Sequence, residues 1–546
     1  MRPIPAPHQT SGRVITRAEG LQCFTLNTSE KEDVVNRRKF ISTAATALGA
    51  LGIKMESQAA LTGASTAVRS QRRPNILILM SDQHKRSCMG VCGDTTAVTP
   101  NLDRLARESV RFANAYCTNP VCGPSRASIM TGRYTHNLET RGNSSPFSPR
   151  HKTIADQFRN AGYFTSLIGK MHFVDAQTHG FDYKLEFNDW WQYLGPKTHL
   201  YADELGRPNT GAGMPQVVTL WQEEGDPWKG HRQPDGREGT VAVGYPSKMA
   251  EPDHFENFVA RESIRFLENY AQDDAPFLLI SSFLKPHDPF MPATRFAEMF
   301  HPEQMKLSPT WGKADLNHLP EEVRQSVETC HWTPELRDAA EARKRMAYYY
   351  GNLAQMDDCA GHVLQALARL GLDKNTIVVY TADHGEMLGD LGLWNKFQFY
   401  EGSCGVPLTF RMPGGSPAVC STPVSLISLI ATLTDLSDVP LSGPSDGKSF
   451  ASLIRNPASD STYNYGPIFA EYSLDTHDAK YMIRDGSYKY TYWIHDIEEL
   501  YDLSSDPEEM RNLASRPEHR ATVARLRQKL FHWHRPAEIG SDSTHA

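Results

Sequence analysis

The stretch NILILMSDQH at residues 75–84 decides the fold, because an uninterrupted apolar run ends abruptly in polar side chains. Three further stretches share this design: YFTSLIGKMH at 163–172, FLLISSFLKPH at 277–287 and TIVVYTADHG at 376–385. Nearly continuous apolar runs of this length are typical of strands that are buried on both faces of a mostly parallel sheet. The four runs therefore predict the centre of a large α/β sheet.

The polar residues that end these runs predict one shared site. In open α/β sheets, ligands bind beyond the carboxyl ends of the strands. Here those ends carry acidic, histidine or lysine side chains, namely Asp82, His84, Lys170, His172, Lys285, His287, Asp383 and His384. Because the same design occurs four times, we expect these side chains to meet at one edge of the sheet.

Helical patterns separate the strand runs. Helices are predicted to begin after the capping residues Thr99 and Thr153, and a long helical pattern runs from about Pro334 to Leu370. The alternation of strands and helices predicts a layered α/β domain over residues 71–455.

The sequence changes character towards its C-terminal end. From about residue 466 the long apolar runs give way to segments such as YKYTYW at 488–493, which alternates with the period of a strand. We therefore expect a small α+β domain over residues 456–546. Residues 183–250, rich in Gly, Pro, Trp and Gln, are expected to form long loops on the side of the site.

The stretch VCGPSRASIMTGR at residues 121–133 carries the most specific chemical signal. Gly123 and Pro124 predict the N-cap and first residue of a helix that ends at Gly132, which places Cys122 at its N-terminus. Free backbone N–H groups and the helix dipole favour an anion there, and Arg126 adds a second donor for oxyanions. A reactive cysteine in an anion site is the resulting expectation.

The motif C-x-P-S-R followed by T-G-R resembles the signature of the type I sulfatases, whose cysteine is oxidised to formylglycine after translation. Other segments resemble the same family: SDQ at 81–83, TPNLDRLA at 99–106, GKMH at 169–172, KPHDPF at 285–290, DHG at 383–385, WNK at 394–396 and ELYDL at 499–503. The resemblance runs from about residue 73 to residue 513. It implies an alkaline-phosphatase-like α/β fold, with a large mixed sheet flanked by helices and a smaller α+β C-terminal domain.

The resemblance also implies a metal site. Its expected ligands are Asp82, Gln83, Asp383 and His384, together with the group derived from Cys122. The family typically uses calcium, and oxygen ligands suit a hard cation, although Mg²⁺ or Mn²⁺ would fit the same residues. Many relatives have a second aspartate where this chain has Gln83, so this site carries one negative charge fewer.

The catalytic roles that the resemblance implies centre on Cys122. As formylglycine it would hydrate, and the metal-bound diol would attack the sulfur of a sulfate ester. Arg126 and Lys170 would hold the diol and sulfate oxygens. His287 and Lys396 would bind sulfate and protonate the leaving alcohol, and His172 would take the remaining diol proton.

The expected function is therefore hydrolysis of a sulfate ester, of a sulfated carbohydrate or alternatively of an aryl or choline sulfate. A phosphonate monoester or phosphodiester hydrolase of the same superfamily and a non-catalytic sulfoglycan-binding protein are the competing interpretations. Further substrate contacts are expected among the polar and aromatic residues His84, Lys85, Trp190, Trp191, His199, Arg295 and Tyr400.

Composition excludes several other classes of protein. The 546-residue chain has a formal net charge of -7, which argues against a nucleic-acid binder. Its apolar fraction of 40% is ordinary for a globular protein, and no apolar run approaches the roughly 20 residues that a membrane span needs. Nine cysteines scattered along such a length do not indicate a disulfide scaffold.

The N-terminal segment predicts export. The stretch NRRKFIS at residues 36–42 precedes a short, weakly apolar run, as in twin-arginine signal peptides. Residues 1–70 are therefore expected to be a removable leader, which implies a periplasmic or secreted protein. Because this route carries folded proteins, a formylglycine-generating maturation enzyme would act before export.

Overall fold

The computed structural model describes residues 73–173, 177–201, 243–271, 273–330 and 333–536. The expected leader at 1–70, and most of the expected loops at 183–250, lie outside these residues. Within the described ranges, the helices are too short or too polar to cross a lipid bilayer.

The four apolar runs form four neighbouring strands of an eight-stranded sheet, with the strand order β10-β2-β9-β7-β1-β6-β4-β5. The strands of this sheet are β1 (Asn75–Asp82), β2 (Val110–Phe112), β4 (Phe164–Gly169), β5 (Tyr183–Leu185), β6 (Phe277–Pro286), β7 (Thr376–Ala382), β9 (Leu408–Arg411) and β10 (Ala418–Cys420). Strands β7, β1, β6, β4 and β5 are mutually parallel, and β9 is antiparallel to both of its neighbours. The predicted α/β fold with a large mixed sheet is confirmed.

Alternate residues of β1 pack into two different apolar cores, one on each face of the sheet. Leu77 and Leu79 belong to the first core, whereas Ile76, Ile78 and Met80 belong to the second. The side chains of a strand point alternately to its two faces, so a strand covered by helices on both sides needs an apolar residue at every position. This explains why the run NILILM shows no polar alternation.

Helices cover both faces of this sheet, and others lie elsewhere in the described part of the chain. The bounds of all the described helices are α1 (Pro100–Arg107), α2 (Cys122–Thr131), α3 (Ile154–Asn160), α4 (Phe187–Leu194), α5 (Phe255–Tyr270), α6 (Thr294–Ala297), α7 (Glu321–Glu328), α8 (Ala339–Arg369), α9 (Glu401–Cys404), α10 (Leu429–Leu436), α11 (Ala451–Arg455) and α12 (Arg520–Trp533). Helices α5 and α8 contribute to the first core, and α2, α3 and α10 to the second.

Two helix boundaries differ from the sequence prediction. Helix α2 includes Cys122, because the Ser125 N–H donates to the Val121 carbonyl at 2.9 Å and closes the first turn there. The long helix begins at Ala339 rather than near Pro334, since Asp338 is extended and its carboxylate caps the helix. Pro334–Arg337 form a separate 3₁₀ turn.

The C-terminal region contains a separate antiparallel sheet, as expected. Its strands follow one another in order: β12 (Ile468–Tyr472), β13 (Lys480–Asp485), β14 (Tyr488–Trp493) and β15 (Glu499–Asp502). Helix α12 packs on it and buries a core of its own that includes Leu526 and Leu530. A short three-stranded sheet of β3 (Ala115–Tyr116), β8 (Gly405–Val406) and β11 (Val424–Ser425) completes the described strands.

Candidate active site

The ends of the four central strands bring the expected polar residues to one place. Strand β1 ends at Asp82, and Asp383 follows the end of β7, which pairs with β1 in parallel register. On the other side of β1, His287 follows the end of β6, and Lys170 follows the end of β4. Parallel strands place their carboxyl ends at the same edge, and the side chains of these four residues lie close together there.

Cys122 completes this edge from the N-terminus of α2. Its Sγ lies 3.2 Å from His384 Nε2, 3.2 Å from Lys396 Nζ and 3.7 Å from Asp82 Oδ1. Burial raises the pKa of the Cys122 thiol, but the neighbouring cations, Lys170 foremost, prevail and hold it well below its ordinary value. The position expected from the motif, an electropositive helix N-terminus, is the one observed.

A group of four side chains could hold a metal ion. One ligand atom from each of Asp82, Cys122, Asp383 and His384 lies within 4.8 Å of every other, and all four residues are buried. The Nδ1 of His384 is 2.9 Å from the Gly385 carbonyl, which leaves Nε2 free of a proton in the neutral ring and directed at the group. Carboxylate oxygens with one imidazole nitrogen form a plausible donor set for a divalent cation.

Arg126 donates hydrogen bonds to the carboxylates of both Asp82 and Asp383. Its Nε donates to Asp383 Oδ2 at 2.7 Å and its Nη2 to Asp82 Oδ2 at 3.0 Å, while Nη1 bonds the Lys170 carbonyl and Ser282 Oγ. The side chain is fully buried. We expected Arg126 to hold the diol and sulfate oxygens, but its observed donors contact two carboxylates of the candidate metal site, the Lys170 carbonyl and Ser282 Oγ.

Lys170 neutralises Asp82 from a second direction. Its Nζ is 2.6 Å from Asp82 Oδ2, and both side chains are fully buried. Burial and the Cys122 thiolate raise the pKa of Asp82, but Lys170, His287 and Arg126 lower it more, so the carboxylate stays ionised far below its usual range. The oxygen Oδ1 remains on the side of Cys122 and His384.

Lys396 links three groups of the site through its three N–H donors. Its Nζ lies 2.8 Å from Gln83 Oε1, 2.9 Å from His287 Nε2 and 3.2 Å from Cys122 Sγ. His287 Nδ1 is 2.6 Å from the Asp288 carbonyl, so the neutral ring carries its proton on Nδ1 and accepts at Nε2. Lys396 and His287 therefore act as one hydrogen-bonded pair beside Cys122.

His172 lies beside Cys122. The residue is buried and has a left-handed backbone, with φ of 68°. Burial lowers its pKa to about 4, although interaction with Cys122 opposes the change. A ring that is neutral at pH 7 can accept a proton from a neighbouring group, as the expected role requires.

Glu386 is a buried residue of this site that the sequence analysis missed. It accepts a hydrogen bond from Gln83 Nε2 at 2.5 Å and further bonds from the backbone N–H groups of Leu388 and Asn395. Its position three residues after Asp383, in the polar stretch that follows β7, was the available signal.

Most of the residues expected to contact substrate have hydrogen-bond partners within the protein. Their observed partners are Tyr380 for His84, Asp390 for Lys85, Asp253 for Trp190, Glu251 and Asp358 for Arg295, and Glu499 for Tyr400. Trp191 packs against the first core, and His199 is exposed in a short turn. For the buried members of the set, such as His84 and Trp190, these bonds satisfy polar atoms that burial would otherwise leave without a partner. Contact of these seven residues with a substrate stays a prediction.

Comparison with known proteins places this arrangement in a family. A family model described as Sulfatase matches residues 74–439, and one described as N-sulphoglucosamine sulphohydrolase, C-terminal, matches residues 389–535. An arylsulfatase of Clostridium perfringens is 31% identical, over 84% of this chain and 94% of that protein. A choline-sulfatase of Rhizobium meliloti is 29% identical, over 84% of this chain and 87% of that protein.

The solved structures agree on the fold. The phosphonate monoester hydrolase of Agrobacterium radiobacter superposes with a TM-score of 0.71 at 23% identity, over 84% of this chain and 95% of that chain. The family match extends from β1 through the Cys122 helix to the Lys396 segment, and so includes every strand end that builds the site. This chain therefore belongs to the sulfatase family and is a sulfuric ester hydrolase.

Proposed function

We propose that the protein hydrolyses sulfate esters of a carbohydrate, with Cys122 oxidised to formylglycine and one divalent cation held beside it. The observation that carries this proposal is the position of Cys122. A buried side chain at a helix N-terminus, 3.2 Å from Lys396 and 3.2 Å from His384, is surrounded by groups that stabilise negative oxygen. Calcium is the cation we expect.

The residues present fit such a cation. Asp82 Oδ1, Asp383 Oδ1 and His384 Nε2 face the centre of the group, and Gln83 Oε1 is within reach of Lys396 beside it. An amide oxygen has two lone pairs, so Gln83 can accept from Lys396 and bind a cation together. When bound, the cation would polarise the sulfate group and favour a deprotonated nucleophile at neutral pH.

Two lysines and a histidine can bind the sulfate and the leaving group. Lys170 and Lys396 both lie near Cys122, and their positive charges favour binding of the sulfate anion there. His287 Nε2 faces the same space and accepts a hydrogen bond from Lys396. A proton delivered from this pair to the ester oxygen would allow the alcohol to leave as a neutral product.

His172 would remove the proton that remains on the oxidised Cys122 group after the ester bond breaks. The neutral ring lies against the Cys122 side chain, as this role requires. One oxygen of the diol would by then carry the sulfate group, so loss of the proton from the other oxygen would form the C=O bond and expel sulfate. The aldehyde is thereby restored without hydrolysis of an ordinary ester intermediate, which is the advantage of a geminal diol over a serine.

A sulfated carbohydrate is the substrate class that we favour. The family model that covers the C-terminal region, residues 389–535, is named after a hydrolase of N-sulphoglucosamine, and this range includes the Lys396 segment. The two curated relatives are named after choline sulfate and aryl sulfates, so both remain alternatives. The likeness to the phosphonate monoester hydrolase, at 23% identity, supports the fold and carries no argument about the substrate.

The proposal includes export after maturation. The paired arginines Arg37 and Arg38 precede a short apolar run, so we expect a formylglycine-generating enzyme to act in the cytoplasm and twin-arginine export to follow. The N-terminus of the exported protein should then begin between roughly residues 60 and 71. An exported chain that retains Met1 would contradict this part of the proposal.

One experiment tests the chemistry and the substrate together. The protein is produced with a formylglycine-generating enzyme, the Cys122 peptide is analysed by mass spectrometry, and sulfate release is measured from sulfated glycans, choline sulfate and an aryl sulfate. We expect an aldehyde at Cys122 and the highest kcat/KM on a glycan. An unmodified but fully active Cys122 would refute the mechanism, and a preference for phenylphosphonate esters would favour the competing phosphonate hydrolase.

A further inference from the structure

Glu386 makes a second connection between Gln83 and the segment that carries Lys396, beside the direct bond from Lys396 to Gln83. The side chain is fully buried, and its two oxygens have different partners. Oε2 accepts from Gln83 Nε2 at 2.5 Å, whereas Oε1 accepts from the backbone N–H of Asn395 at 2.7 Å and of Leu388 at 3.0 Å. One carboxylate thus contacts both a side chain at the end of β1 and the segment that carries Lys396.

The bond to Oε2 decides which way the Gln83 amide faces. A primary amide has a donor end and an acceptor end, and Glu386 can only accept. With Nε2 held by Glu386, Oε1 faces Lys396 Nζ at 2.8 Å on the side of the metal-binding group. In the reverse orientation, the amide N–H₂ would meet both the Lys396 ammonium and a bound cation, and all three repel one another.

The bonds to Oε1 hold a strained segment. Leu388, Leu391, Asn395 and Phe397 all have left-handed backbone angles, with φ between 48° and 86°. Such conformations are unfavourable for residues with a side chain and persist only where the surroundings impose them. Lys396 lies between two of these residues, so the position of its ammonium depends on how the segment is held.

Arg345 strengthens this hold from helix α8. Its Nη2 donates to Asn395 Oδ1 at 2.5 Å and lies 3.8 Å from Glu386 Oε1. The guanidinium is itself buried between the rings of Phe290 and Trp394, with centroid distances of 4.6 and 5.1 Å. The guanidinium of Arg345 therefore compensates the negative charge of Glu386, and neither Lys170 nor Lys396 is needed for this.

We propose that Glu386 is a positioning residue that orients the Gln83 amide oxygen towards the cation site and fixes the segment that presents Lys396. The proposal rests on the cation site of the proposed function. An aspartate at position 83 would present an oxygen in either orientation of its carboxylate, whereas the Gln83 amide presents one only when its Nε2 faces away from the cation. The bond from Nε2 to Glu386 fixes that orientation, so the neutral glutamine still offers an oxygen ligand.

The test uses the different partners of the two Glu386 oxygens. In Glu386→Gln, Oε1 keeps the bonds to Leu388 and Asn395, but an amide N–H₂ replaces Oε2 and faces the Gln83 N–H₂. Gln83 must then turn its oxygen away from the cation site. We expect the affinity for calcium, measured by isothermal titration calorimetry on chelator-treated mature protein, to fall by about 10- to 100-fold.

An exchanged double variant provides the decisive comparison. In Gln83→Glu combined with Glu386→Gln, the new amide at 386 donates to one oxygen of the new carboxylate at 83, and the other oxygen faces Lys396 and the cation. We expect calcium affinity to return to the parent value or above it. Glu471→Gln is the matched control, since Glu471 is equally buried but binds Thr135 and His136, and its calcium affinity should be unchanged.

The outcomes distinguish a failure of the proposed cation site from a failure of the role proposed for Glu386. If the parent binds no calcium, the cation site fails and this inference fails with it. If the parent binds calcium and Glu386→Gln binds equally well, only the role of Glu386 is refuted. A double variant as weak as the single variant, or one that does not fold, would also refute it, because the exchange preserves every hydrogen bond assigned to Glu386.

Discussion

Replacing Arg126 by lysine should destabilise the protein more than its conservative character suggests. The guanidinium reaches Asp82, Asp383, Ser282 and the Lys170 carbonyl at the same time, at distances of 2.6 to 3.0 Å. A lysine keeps the charge, but one ammonium cannot span both carboxylates as the planar fork does. One of two fully buried carboxylates then loses its partner.

The magnitude follows from that loss. Breaking one partner of a buried ion pair costs about 3–5 kcal/mol. With about 2.1 cal/mol/K per residue, a chain of this size has an unfolding entropy of about 1 kcal/mol/K, so the melting temperature should fall by about 3–5 °C. A bound cation would compensate part of the negative charge of Asp82 and Asp383. Calcium should therefore raise the melting temperature of the variant more than that of the parent.

Differential scanning calorimetry of chelated and calcium-saturated protein measures both effects. Arg133→Lys is the matched control, since this partly exposed arginine near the end of the same helix is 4.0 Å from Asp446 and should change stability by less than about 0.5 kcal/mol. A fall of less than 1 °C in Arg126→Lys would show that the carboxylates do not depend on the guanidinium.

Three further predictions concern the chemistry. Cys122→Ala should abolish sulfate release while the melting temperature stays within about 2 °C of the parent, and retained turnover would exclude Cys122 as the origin of the nucleophile. His287→Ala should reduce kcat on sugar sulfates more than on an activated aryl sulfate, because only a poor leaving group needs a proton; equal losses would remove His287 from that role. Burial lowers the pKa of His384, but Asp383 and Cys122 raise it above its ordinary value overall. Below that pKa a proton competes with the cation, so calcium affinity should decrease as the pH falls, and calorimetry at pH 8 and pH 6 that shows equal affinity would exclude His384 as a ligand.

Local sequence was sufficient to predict the four central strands of the sheet and the polar residues that follow them. Residues 76–80 and 377–379 are apolar at every position, which is typical of strands covered on both faces. The polar residues directly after them are necessarily at one edge of a parallel sheet. The site could therefore be predicted before any packing was known.

Helix boundaries depended on bonds that are harder to foresee. The carboxylate of Asp357, on α8, accepts the free N–H groups of Asn101 and Leu102 at the start of α1, where Thr99 was the expected cap. A partner 256 residues away leaves no local trace in the sequence. The start of α8 after Asp338 could have been predicted from the sequence, since aspartate is a common N-cap.

By itself, the sequence determined the α/β class, the edge at which the site lies, and the cysteine, acids, histidines and lysines that form it, because these depend on periodicity and on local motifs. The tertiary structure alone decided that Arg126 binds the carboxylates of Asp82 and Asp383. It also decided that Lys396 pairs with His287 and that Glu386 orients Gln83. The physical reason is that a hydrogen bond between buried side chains depends on distances and directions set by packing, and residues up to 313 positions apart, such as Gln83 and Lys396, meet only in the folded chain.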